Sequence, residues 1–461
     1  MNSASPFCKI QGNSETVTVI GGGLAGVEAA WQLANRGVPV RLCEMRPDRS
    51  SPAHSTDRLA ELVCSNSLGA DAPACPAGIL KQELRMLNSL IIRSAYTARV
   101  PAGKALAVDR DEFSALISQD IERHENIELI RGEITDIPEG PSIIATGPLS
   151  DGDIASRIVD IVGENYLAFF DASAPIVTLD SVDMGRAYRA NRYDSEDGDY
   201  INCPMDRERY TAFHSALISA ERATLSKFDV RPSYFEGCLP IEVMAERGVD
   251  TMRFGPMRPV GLSDPSTGRE PYALVQLRRD NADGTLYNLV GFQTNLKWPE
   301  QERVFRMIPA LEHAEFARMG VMHRNSFVCA PRVLDEYMRP LKNGEVFRRN
   351  LFLAGQITGV EGYTESAASG AAVALFMSAA LRGREMPSFP EATAIGSLLR
   401  YLKNAEPKSF QPMNVNLGIF PPLPQTHQIG AKRKKLPKGE RSRLHCERSR
   451  NEMEIFLKNG F

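Results

Sequence analysis

Two cysteines stand in sequence contexts that favour nucleophilic chemistry, and the first is Cys238. It lies in the run Tyr-Phe-Glu-Gly-Cys-Leu-Pro-Ile-Glu-Val, with Gly237 before it and Pro240 two residues after it. Glycine and proline so placed are typical of an exposed loop rather than a strand interior. Glu236 and Glu242 flank Cys238 within this run, and Arg247 and Arg253 follow it. Because a thiolate is the reactive form and its pKa depends on such neighbours, we predict Cys238 as a candidate nucleophile.

The second candidate is Cys64, in the segment Glu-Leu-Val-Cys-Ser-Asn-Ser-Leu over residues 61–68. Its neighbours are small polar residues that can hydrogen-bond a thiolate, and this context predicts a functional cysteine. The alternative is a cysteine at the start of a helix that faces the core. A lone histidine, His323, is expected to be a hydrogen-bonded structural residue rather than a catalyst.

The remaining cysteines show neither a metal-binding pattern nor a disulfide framework. None forms a CxxC pair, and no histidine lies at zinc-ligand spacing beside them, so we expect no structural metal. We expect reduced thiols, with Cys43 packed inside a strand. These cysteines are Cys8, Cys43, Cys75, Cys203, Cys329 and Cys446.

A glycine-rich turn near the amino terminus predicts a dinucleotide site that would position this chemistry. A predicted strand from Val17 runs into Gly-x-Gly-x-x-Gly, followed by a predicted helix over Val27–Arg36 and a second strand over Val38–Glu44. Such a turn lets the backbone approach a pyrophosphate at the helix N-terminus, and Glu44 stands where a ribose-binding acid is expected. The predicted binding residues are Gly21, Gly22, Gly23, Leu24, Ala25, Gly26 and Glu44.

Two later predicted strands also end at glycine, which favours FAD over NAD as the cofactor. They are Ser142–Gly147 and Asn350–Gly355, and a small-residue helix over Glu365–Leu381 follows the second. The positive N-terminus of that helix suits the anion that a reduced flavin carries on its pyrimidine edge. The residues added to the cofactor site are Gly147, Gly355, Gln356 and Gly359.

These pieces predict an α/β fold: an FAD-binding Rossmann-like domain of the glutathione-reductase type, interrupted by an inserted α+β domain. The predicted parts are a disordered leader (1–15), a discontinuous FAD-binding domain (16–160 and 320–385), an inserted substrate domain (161–319), a C-terminal helix and loop (386–430) and a basic tail (431–461). Within them we predict helices over Ile79–Ser94, from Asp109 to about His124, over Phe213–Leu225 and over Ala392–Leu402. We predict strands over Ile127–Arg131, Glu133–Ile137 and Tyr166–Val177, and a hairpin of Tyr272–Arg278 with Leu286–Thr294 turning at Asp283-Gly284.

Bulk properties restrict the class of protein. The chain has 461 residues and a formal charge of −3, which does not indicate a nucleic-acid binder but leaves room for a local basic face. Residues 1–16 lack the pattern of a secretory signal and no run is long and apolar enough to span a membrane, so we expect a cytoplasmic protein. The tail carries nine Lys or Arg against two Glu between Ala431 and Arg450. We expect it either to be solvated or to touch phosphates.

Several stretches together resemble one family, the folate/FAD-dependent tRNA uracil-5-methyltransferases. They are GGGLAGVEAAWQLANRGVPVRLCEMRP, AELVCSNSL, IIATGPL, NCPM, FEGCLPIEVMAERG, FGPMRPVGL, GTLYNLVGFQTNLKW, GVMHRN and LFLAGQITGVEGYTESAASG. The likeness runs from about Val17 to about Leu402, in the family's order. The leader and the basic tail lie outside it and look particular to this protein.

The resemblance implies conversion of the T-loop uridine of tRNA to 5-methyluridine. Methylenetetrahydrofolate would supply the carbon, reduced FAD the hydride, and NAD(P)H would regenerate the reduced flavin. By position, Cys238 matches the family's nucleophile, which adds to the uracil ring. Cys64 matches its second functional cysteine, proposed to help remove the 5-proton. The family's fold, a flavin domain carrying an inserted domain, agrees with the parts predicted above.

Four alternatives remain at this stage. One is the same chemistry on ribosomal RNA. Another is the related FAD- and folate-dependent family that modifies the tRNA wobble uridine, which predicts a longer chain with an extra helical C-terminal domain. A third is an FAD oxidoreductase of a small metabolite, in which Cys238 would be dispensable. The last is a flavin-bearing RNA-binding protein without chemistry, which would need neither thiol.

Overall fold

A computed structural model describes residues 16–51, 53–163, 167–193, 198–223, 234, 239–423 and 437–460. The predicted leader, Cys8 and the candidate nucleophile Cys238 lie outside the described residues. The side chain of His323 is likewise not described, although its backbone lies in a strand.

Eighteen strands occur in the described part of the chain. The first nine are β1 (Val17–Ile20), β2 (Val40–Glu44), β3 (Ser67–Ala70), β4 (Arg99–Val100), β5 (Ala105–Val108), β6 (Ile127–Arg131), β7 (Ser142–Ile144), β8 (Leu167–Ala172) and β9 (Ile176–Thr178). The others are β10 (Tyr188–Arg189), β11 (Tyr200–Met205), β12 (Ala273–Arg279), β13 (Leu286–Leu289), β14 (Phe316–Arg318), β15 (Met322–Phe327), β16 (Leu341–Lys342), β17 (Glu345–Val346) and β18 (Leu351–Leu353).

The α-helices of the same described ranges alternate with these strands. They are α1 (Leu24–Ala34), α2 (Pro76–Met86), α3 (Leu90–Thr97), α4 (Arg110–Arg123), α5 (Gly152–Val162), α6 (Arg207–Ser219), α7 (Ile241–Glu246), α8 (Thr251–Phe254), α9 (Trp298–Phe305), α10 (Ala330–Val333), α11 (Tyr363–Leu381), α12 (Ala394–Asn404) and α13 (Lys438–Lys458).

The first large sheet has five parallel strands in the order β18–β7–β1–β2–β6. All four residues of β1 are buried, as expected for a parallel strand covered on both faces. Strands from both ends of the chain meet here, because β7 lies between β1 and β18. The carboxyl ends of these strands therefore bring the three glycine-terminated segments to one edge.

Helix α11 packs closely against α1 beside this sheet. A Cβ atom on Gly370 would overlap the carbonyl oxygen of Ala25, so the absence of a side chain sets the distance between the helices. By length and composition α11 could cross a membrane, but 89% of its apolar window is buried inside the protein. It is a core helix.

The second large sheet has six strands in the order β10–β11–β12–β13–β9–β14, and its neighbouring strands are antiparallel. Its own apolar cluster includes Tyr210, Phe213, Tyr287, Phe292 and Phe305, all fully buried. The predicted hairpin is confirmed: β12 pairs with β13 in the register Leu277 to Leu289. The α/β fold class is confirmed as well, while the domain boundaries given above stay predictions.

The predicted helix over Ile79–Ser94 is wrong as a single element, because the structure breaks it into α2 and α3. Asn88 adopts a left-handed conformation with φ of 56°. The side chain of Ser89 then accepts a hydrogen bond from the amide of Ile92 at 3.2 Å. Serine is a preferred N-cap residue, so this contact starts a new helix.

Three other predicted elements also differ. Residues 133–137 form no strand, and Glu133 instead makes an ion pair with Arg49. The predicted strand over Tyr166–Val177 divides into β8 and β9. Helix α6 begins six residues before the predicted Phe213 because Asp206 caps it, accepting from the amide of Arg209 at 2.8 Å.

The expectation of a disordered or merely solvated tail is wrong for residues 438–458, which form α13. One stripe of this helix is buried, comprising His445, Ser449, Met453 and Phe456. Their spacing of three or four residues is the period of a helix face turned toward a core. The ring of Phe456 lies 4.5 Å from that of Phe389, centroid to centroid.

The buried carboxylate of Glu83 joins three helices. It accepts hydrogen bonds from the amides of Ala394 at 2.6 Å and Ile395 at 2.9 Å, at the N-terminus of α12. It also accepts from the hydroxyl of Ser449 on α13 at 2.5 Å. Burial raises the pKa of Glu83 to about 7, although these three donors act in the opposite direction.

We predict that Glu83→Gln removes a pH dependence of stability. The pKa of Glu83 in the folded protein lies above its ordinary value, so folding favours the protonated side chain. The contribution of Glu83 to the free energy of unfolding is therefore fully present at low pH and is lost as pH rises toward about 7. The free energy of unfolding, measured by urea titration between roughly pH 5 and pH 8, should therefore decline less in the variant. The exposed Glu385→Gln is the control, and parallel curves for wild type and Glu83→Gln would contradict the assignment.

Candidate functional site

A cleft lies at the carboxyl edge of the parallel sheet. Nine of the eleven predicted cofactor-binding residues line it: Gly21, Gly22, Gly23, Leu24, Ala25, Glu44, Gly147, Gly355 and Gln356. The structure therefore brings together segments that are more than 300 residues apart in the chain. Binding by these residues stays a prediction.

The N-terminus of α1 opens into this cleft without a side-chain cap. Gly23 is the N-cap residue, and the first turn of α1 contains no acidic side chain. The amides of a first helical turn have no partner within the helix and favour an anionic ligand. A Cβ atom at Gly23 would have no heavy atom within 4 Å, so a side chain there would occupy the cleft. This uncapped, open cradle fits a dinucleotide pyrophosphate.

The other glycines of the fingerprint are required by contacts within the protein. A Cβ at Gly22 would lie 2.6 Å from Leu59 Cδ2 and 2.7 Å from Glu44 Oε2. A Cβ at Gly26 would overlap the carbonyl oxygen of Gly21, which the turn requires at that position. Gly26 thus lies outside the cleft lining and shapes the turn behind it.

Gly359 likewise lies outside the lining. Its φ is 91°, and a Cβ there would come within about 2.5 Å of the Phe410 ring. It ends the short 3₁₀ helix over residues 356–358. We therefore place Gly359 in support of the turn that carries Gln356, rather than in contact with a ligand.

Glu44 is held in an ion-pair network that sequence analysis did not predict. Its Oε2 accepts from the amide of Gly22 at 2.9 Å, and its Oε1 accepts from Arg46 Nε at 2.8 Å. The guanidinium of Arg46 also lies 2.9 Å from Glu61 Oε2. Burial opposes ionisation of Glu44, but the hydrogen bonds and charge of Arg46 outweigh it, so its pKa lies below the ordinary value. A fixed carboxylate at this position suits the hydroxyls of a ribose.

Two substitutions test ligand binding and folding independently: Gly23→Trp tests binding in the cleft, and Gly26→Ala tests the packing of the turn. We predict that Gly23→Trp keeps the thermal stability of the ligand-free protein but loses bound flavin, because the new side chain fills the cleft. Gly26→Ala should instead lower the free energy of unfolding by about 1–3 kcal/mol, the usual cost of an overpacked site. Flavin absorbance and thermal unfolding measure the two effects, and full flavin loading of Gly23→Trp would refute the cradle.

Cys64 lies beside the cleft, in the segment of residues 61–67, which we call the thiol segment; Glu61 and Val63 of this segment line the cleft, whereas Cys64 itself does not. Its Sγ lies 2.9 Å from the hydroxyl oxygen of Tyr363, the first residue of α11. The same oxygen accepts from the amides of Cys64 at 3.0 Å and Ser65 at 3.2 Å. Because both its lone pairs are used, the hydroxyl must donate its proton to Cys64 Sγ. Cys64 is not at a helix start, so that alternative is wrong.

The resting state of Cys64 is a thiol. Burial, followed by the negative charge of Asp171, raises the pKa of Cys64 to about 12, although the Tyr363 hydroxyl and Arg110 act in the opposite direction. A second acid lies in the same buried region: Glu361 accepts from Gln356 Nε2 at 2.6 Å. Burial and the charge of Asp171 raise the pKa of Glu361 to about 8. Both groups therefore hold protons at neutral pH.

Three arginines from three different elements hold the thiol segment. Arg110 begins α4, Arg278 lies on β12, and Arg318 ends β14. Their contacts are Arg110 Nη1 to the Leu62 carbonyl at 2.6 Å, Arg318 Nη2 to the Val63 carbonyl at 3.3 Å and Arg278 Nη2 to Ser65 Oγ at 2.9 Å. Two of the three come from the six-stranded sheet, so the thiol segment lies between the two large sheets.

The surroundings of the other candidate, Cys238, are described only from Leu239 onward. Glu242, expected to be an ionisable neighbour, is instead fully buried. It accepts from the Asn295 amide at 2.7 Å and from Thr294 Oγ1 at 2.9 Å. These two hydrogen bonds hold the start of α7 against the segment after β13. Burial raises the pKa of Glu242.

Sequence reasoning missed Tyr363, Arg46 and the three arginines. One signal was available for Tyr363, since it follows directly after Gly362 in the turn that opens α11. Arg110, Arg278 and Arg318 carry no local pattern, because their partners in the thiol segment lie 46 to 255 residues away. None of the six cysteines in the described ranges forms a disulfide, and Cys43 is buried in β2 as predicted.

We predict that Cys64 reacts slowly with iodoacetamide in the free protein. A pKa of about 12 leaves roughly a thousandth of the thiolate that an ordinary cysteine has near pH 8. Cys75, half-buried at the start of α2, serves as the internal control. Peptide mass spectrometry at timed intervals measures both, and equal rates for the two cysteines would contradict the assignment.

Comparison with known proteins shows the family to which the chain belongs. Residues 16–385 match the family described as glucose inhibited division protein A. The chain is 54% identical over 409 residues to the methylenetetrahydrofolate–tRNA-(uracil-5-)-methyltransferase TrmFO of Acetivibrio thermocellus, covering 88% of this chain and 92% of that protein. It is 52% identical over 455 residues to the protein of the same name from Zymomonas mobilis, covering 97% and 99%.

The second of these relatives corrects one expectation. Coverage of 97% leaves about 14 residues of this chain unmatched, fewer than the 31 residues of the tail over 431–461, so at least part of the tail is shared with that relative. Among solved structures, Aquifex aeolicus GidA superposes with a TM-score of 0.66 at 15% identity, covering 96% of this chain and 73% of that one. At that identity the likeness shows the shared fold.

Proposed function

Because the chain belongs to the glucose inhibited division protein A family, and within it to the methylenetetrahydrofolate–tRNA-(uracil-5-)-methyltransferases, we propose that it converts the T-loop uridine of tRNA to 5-methyluridine. Methylenetetrahydrofolate is the carbon donor, FAD the resident cofactor and NAD(P)H its reductant. A cytoplasmic location is part of the same proposal.

One observation carries the proposal: the Cys64 thiol lies next to a cleft that fits FAD, 2.9 Å from the Tyr363 hydroxyl oxygen. Val63 and Tyr363, on either side of that thiol, both line the cleft. The cleft residues that would hold FAD are the amides of the α1 N-terminus, Glu44 and the turn carrying Gln356. When bound, the flavin supplies the hydride that completes the methyl group.

Cys238 is assigned to the step that activates the uracil ring. Carbon 5 of uracil is a weak nucleophile until a thiolate adds at carbon 6 and makes the ring an enolate. Carbon 5 then forms its bond to the one-carbon unit, and loss of the carbon 5 proton expels the carrier nitrogen and leaves an exocyclic methylene. The Cys238 thiolate would be expelled as a hydride reaches that methylene and the 5,6 double bond returns. The family motif Phe-Glu-Gly-Cys-Leu-Pro places Cys238 in this role.

Cys64 is assigned to removal of the proton from carbon 5. A thiol cannot accept a proton, so Cys64 must lose its own proton in the substrate complex. The groups that favour this loss are in place: the Tyr363 hydroxyl donates to Sγ, and Arg110 lies beside the Cys64 carbonyl at 3.4 Å. Tyr363 remains a neutral donor, since burial raises its own pKa well above the ordinary value.

Two alternatives retain part of this account. Ribosomal RNA could replace tRNA as the acceptor with the same residues in the same roles. An FAD oxidoreductase of a small metabolite would use the cleft but would need neither Cys238 nor the arginine-held thiol segment. The thiol next to this cleft favours the methyltransferase.

We predict that Cys238→Ala retains bound FAD but makes no 5-methyluridine, because the ring is no longer activated. The assay is nucleoside mass spectrometry on unmodified tRNA incubated with methylenetetrahydrofolate, FAD and NADPH. The matched control is Cys75→Ser, which keeps an N-cap residue outside the cleft and should retain activity.

Turnover by Cys238→Ala would remove the nucleophile assignment. If the wild-type protein reduces its flavin but leaves tRNA unmodified, a ribosomal RNA substrate tests the first alternative. Failure with both RNAs would favour the small-metabolite oxidoreductase.

A further inference from the structure

Arg318 differs from the other two arginines that hold the thiol segment, because most of its donors are free. Arg110 is paired with Asp280 at 3.1 Å, and Arg278 is buried with hydrogen bonds to two side chains of the thiol segment. Arg318 is half-buried, and within the described part of the chain its side chain makes one hydrogen bond, from Nη2 to the Val63 carbonyl at 3.3 Å. A guanidinium carries five N–H donors, so most of those of Arg318 remain for a ligand.

The acids that face Arg318 are already bonded to other arginines. Asp280 is held by Arg110, and Glu61 lies 2.9 Å from Arg46. Burial, followed by the positive charge of Arg110, lowers the pKa of Arg318, although both acids act in the opposite direction. The guanidinium thus carries a charge that is not paired with a carboxylate in the described ranges. Because a partly buried charge is costly without a partner, an anion beside it is favoured.

The side chain of Arg318 lies on the polar face of the six-stranded sheet, at its edge. Its strand, β14, is the last in the order of that sheet, and Arg318 lies opposite Ile176 of β9. The next residue of β9, Val177, belongs to the apolar core. Because successive residues of a strand face opposite sides, Ile176 and Arg318 lie on the face turned away from that core. The bond to Val63 shows that this face meets the thiol segment.

This position is next to both the thiol and the cleft. Val63, whose carbonyl accepts from Arg318, directly precedes Cys64 and lines the cleft. A nucleotide carries its phosphate one sugar away from its base. A base that meets the Cys64 sulfur would therefore bring a phosphate close to the guanidinium.

We propose that Arg318 binds a backbone phosphate of the target nucleotide, a role that rests on the proposed function. A planar guanidinium can form two parallel hydrogen bonds to a phosphate, which fixes orientation as well as position. Arg318 is then a positioning residue: it holds the nucleotide while its base reaches the thiol segment, and it does not touch the reacting atoms. The carboxylates of the folate offer the same anionic chemistry, and the test separates the two ligands.

The test is the affinity of the full-length, FAD-loaded protein for a fluorescently labelled T-arm hairpin, read by anisotropy at several salt concentrations. Arg318→Gln should weaken binding about tenfold at low salt, the effect of losing a charged hydrogen bond. It should also lower the slope of log affinity against log salt by about 0.7–0.9, since one phosphate contact is lost. Arg318→Lys should keep the slope, because the charge remains, but bind more weakly than the wild type.

Arg349→Gln is the matched control. Arg349 is exposed and lies just before β18, at the amino edge of the parallel sheet, whereas the cleft lies at the carboxyl edge. This variant should bind the hairpin with the affinity and salt slope of the wild type. FAD content should be unchanged in every variant. An unaltered salt slope in Arg318→Gln would overturn the proposal.

Two other outcomes would overturn it as well. If Arg318 only holds the thiol segment in place, Arg318→Gln will change the rate at which iodoacetamide alkylates Cys64 but not the salt slope. If Arg318 binds a folate carboxylate, the same variant will raise the KM for methylenetetrahydrofolate and leave the affinity for the hairpin unchanged.

RNA binding separates this inference from the proposed reaction. A lowered salt slope in Arg318→Gln, with no methylation by the wild type, would support the phosphate site and refute the reaction. Methylation by the wild type, with the same salt slope and the same KM for tRNA in Arg318→Gln, would support the reaction and overturn the phosphate site.

Discussion

The hydroxyl of Tyr363 is the contact on which the candidate site depends. It accepts hydrogen bonds from two backbone amides of the thiol segment and donates one to the sulfur of Cys64. Tyr363 is also the first residue of α11, and α11 is fixed against α1 through Gly370 and Ala25. One phenol thus places a thiol at a set distance from the turn that would hold a dinucleotide.

The opposite side of the thiol segment is fixed by charge. Burying a guanidinium is costly unless its donors are satisfied, and Arg110, Arg278 and Arg318 direct donors to backbone carbonyls or polar side chains of the thiol segment. Arg110 is further paired with Asp280 at 3.1 Å. The thiol segment therefore has little freedom to move without exposing unsatisfied charge. This rigidity suits a reaction in which a thiol must meet one hydrogen of a bound ring.

Local patterns in the chain predicted which residues of the first turn meet at the cleft. The glycines of the first turn and Glu44 could be found because strand, turn, helix and acid follow one another within 30 residues, and their spacing is itself the geometry. The hairpin at Asp283-Gly284 was predictable for the same reason. Conversely, the helix over Ile79–Ser94 was wrong because its apolar spacing continues across Asn88, and the periodicity does not record the change in backbone conformation there.

Contacts between distant residues could not be predicted in this way. Tyr363 lies 299 residues from Cys64 and Arg278 lies 213 from Ser65, so neither partner is visible from the other's neighbours. Helix α13 was missed because its charged residues outnumber the four residues of its buried face, which hides the helical period in the sequence. Glu83 shows the same limit: in sequence it is one acid of an amphipathic helix, but in the fold it caps a second helix and meets a third.

The proposed reaction would give one uracil ring its new carbon from a folate and its last hydrogen from a flavin. It is tested most directly with methylenetetrahydrofolate that carries two deuteriums on its methylene carbon, with the 5-methyluridine product of tRNA weighed by mass spectrometry. We expect a methyl group that keeps both deuteriums and takes one hydrogen from unlabelled reduced flavin. A product with an unlabelled methyl group, or no product from flavin-loaded protein, would contradict it.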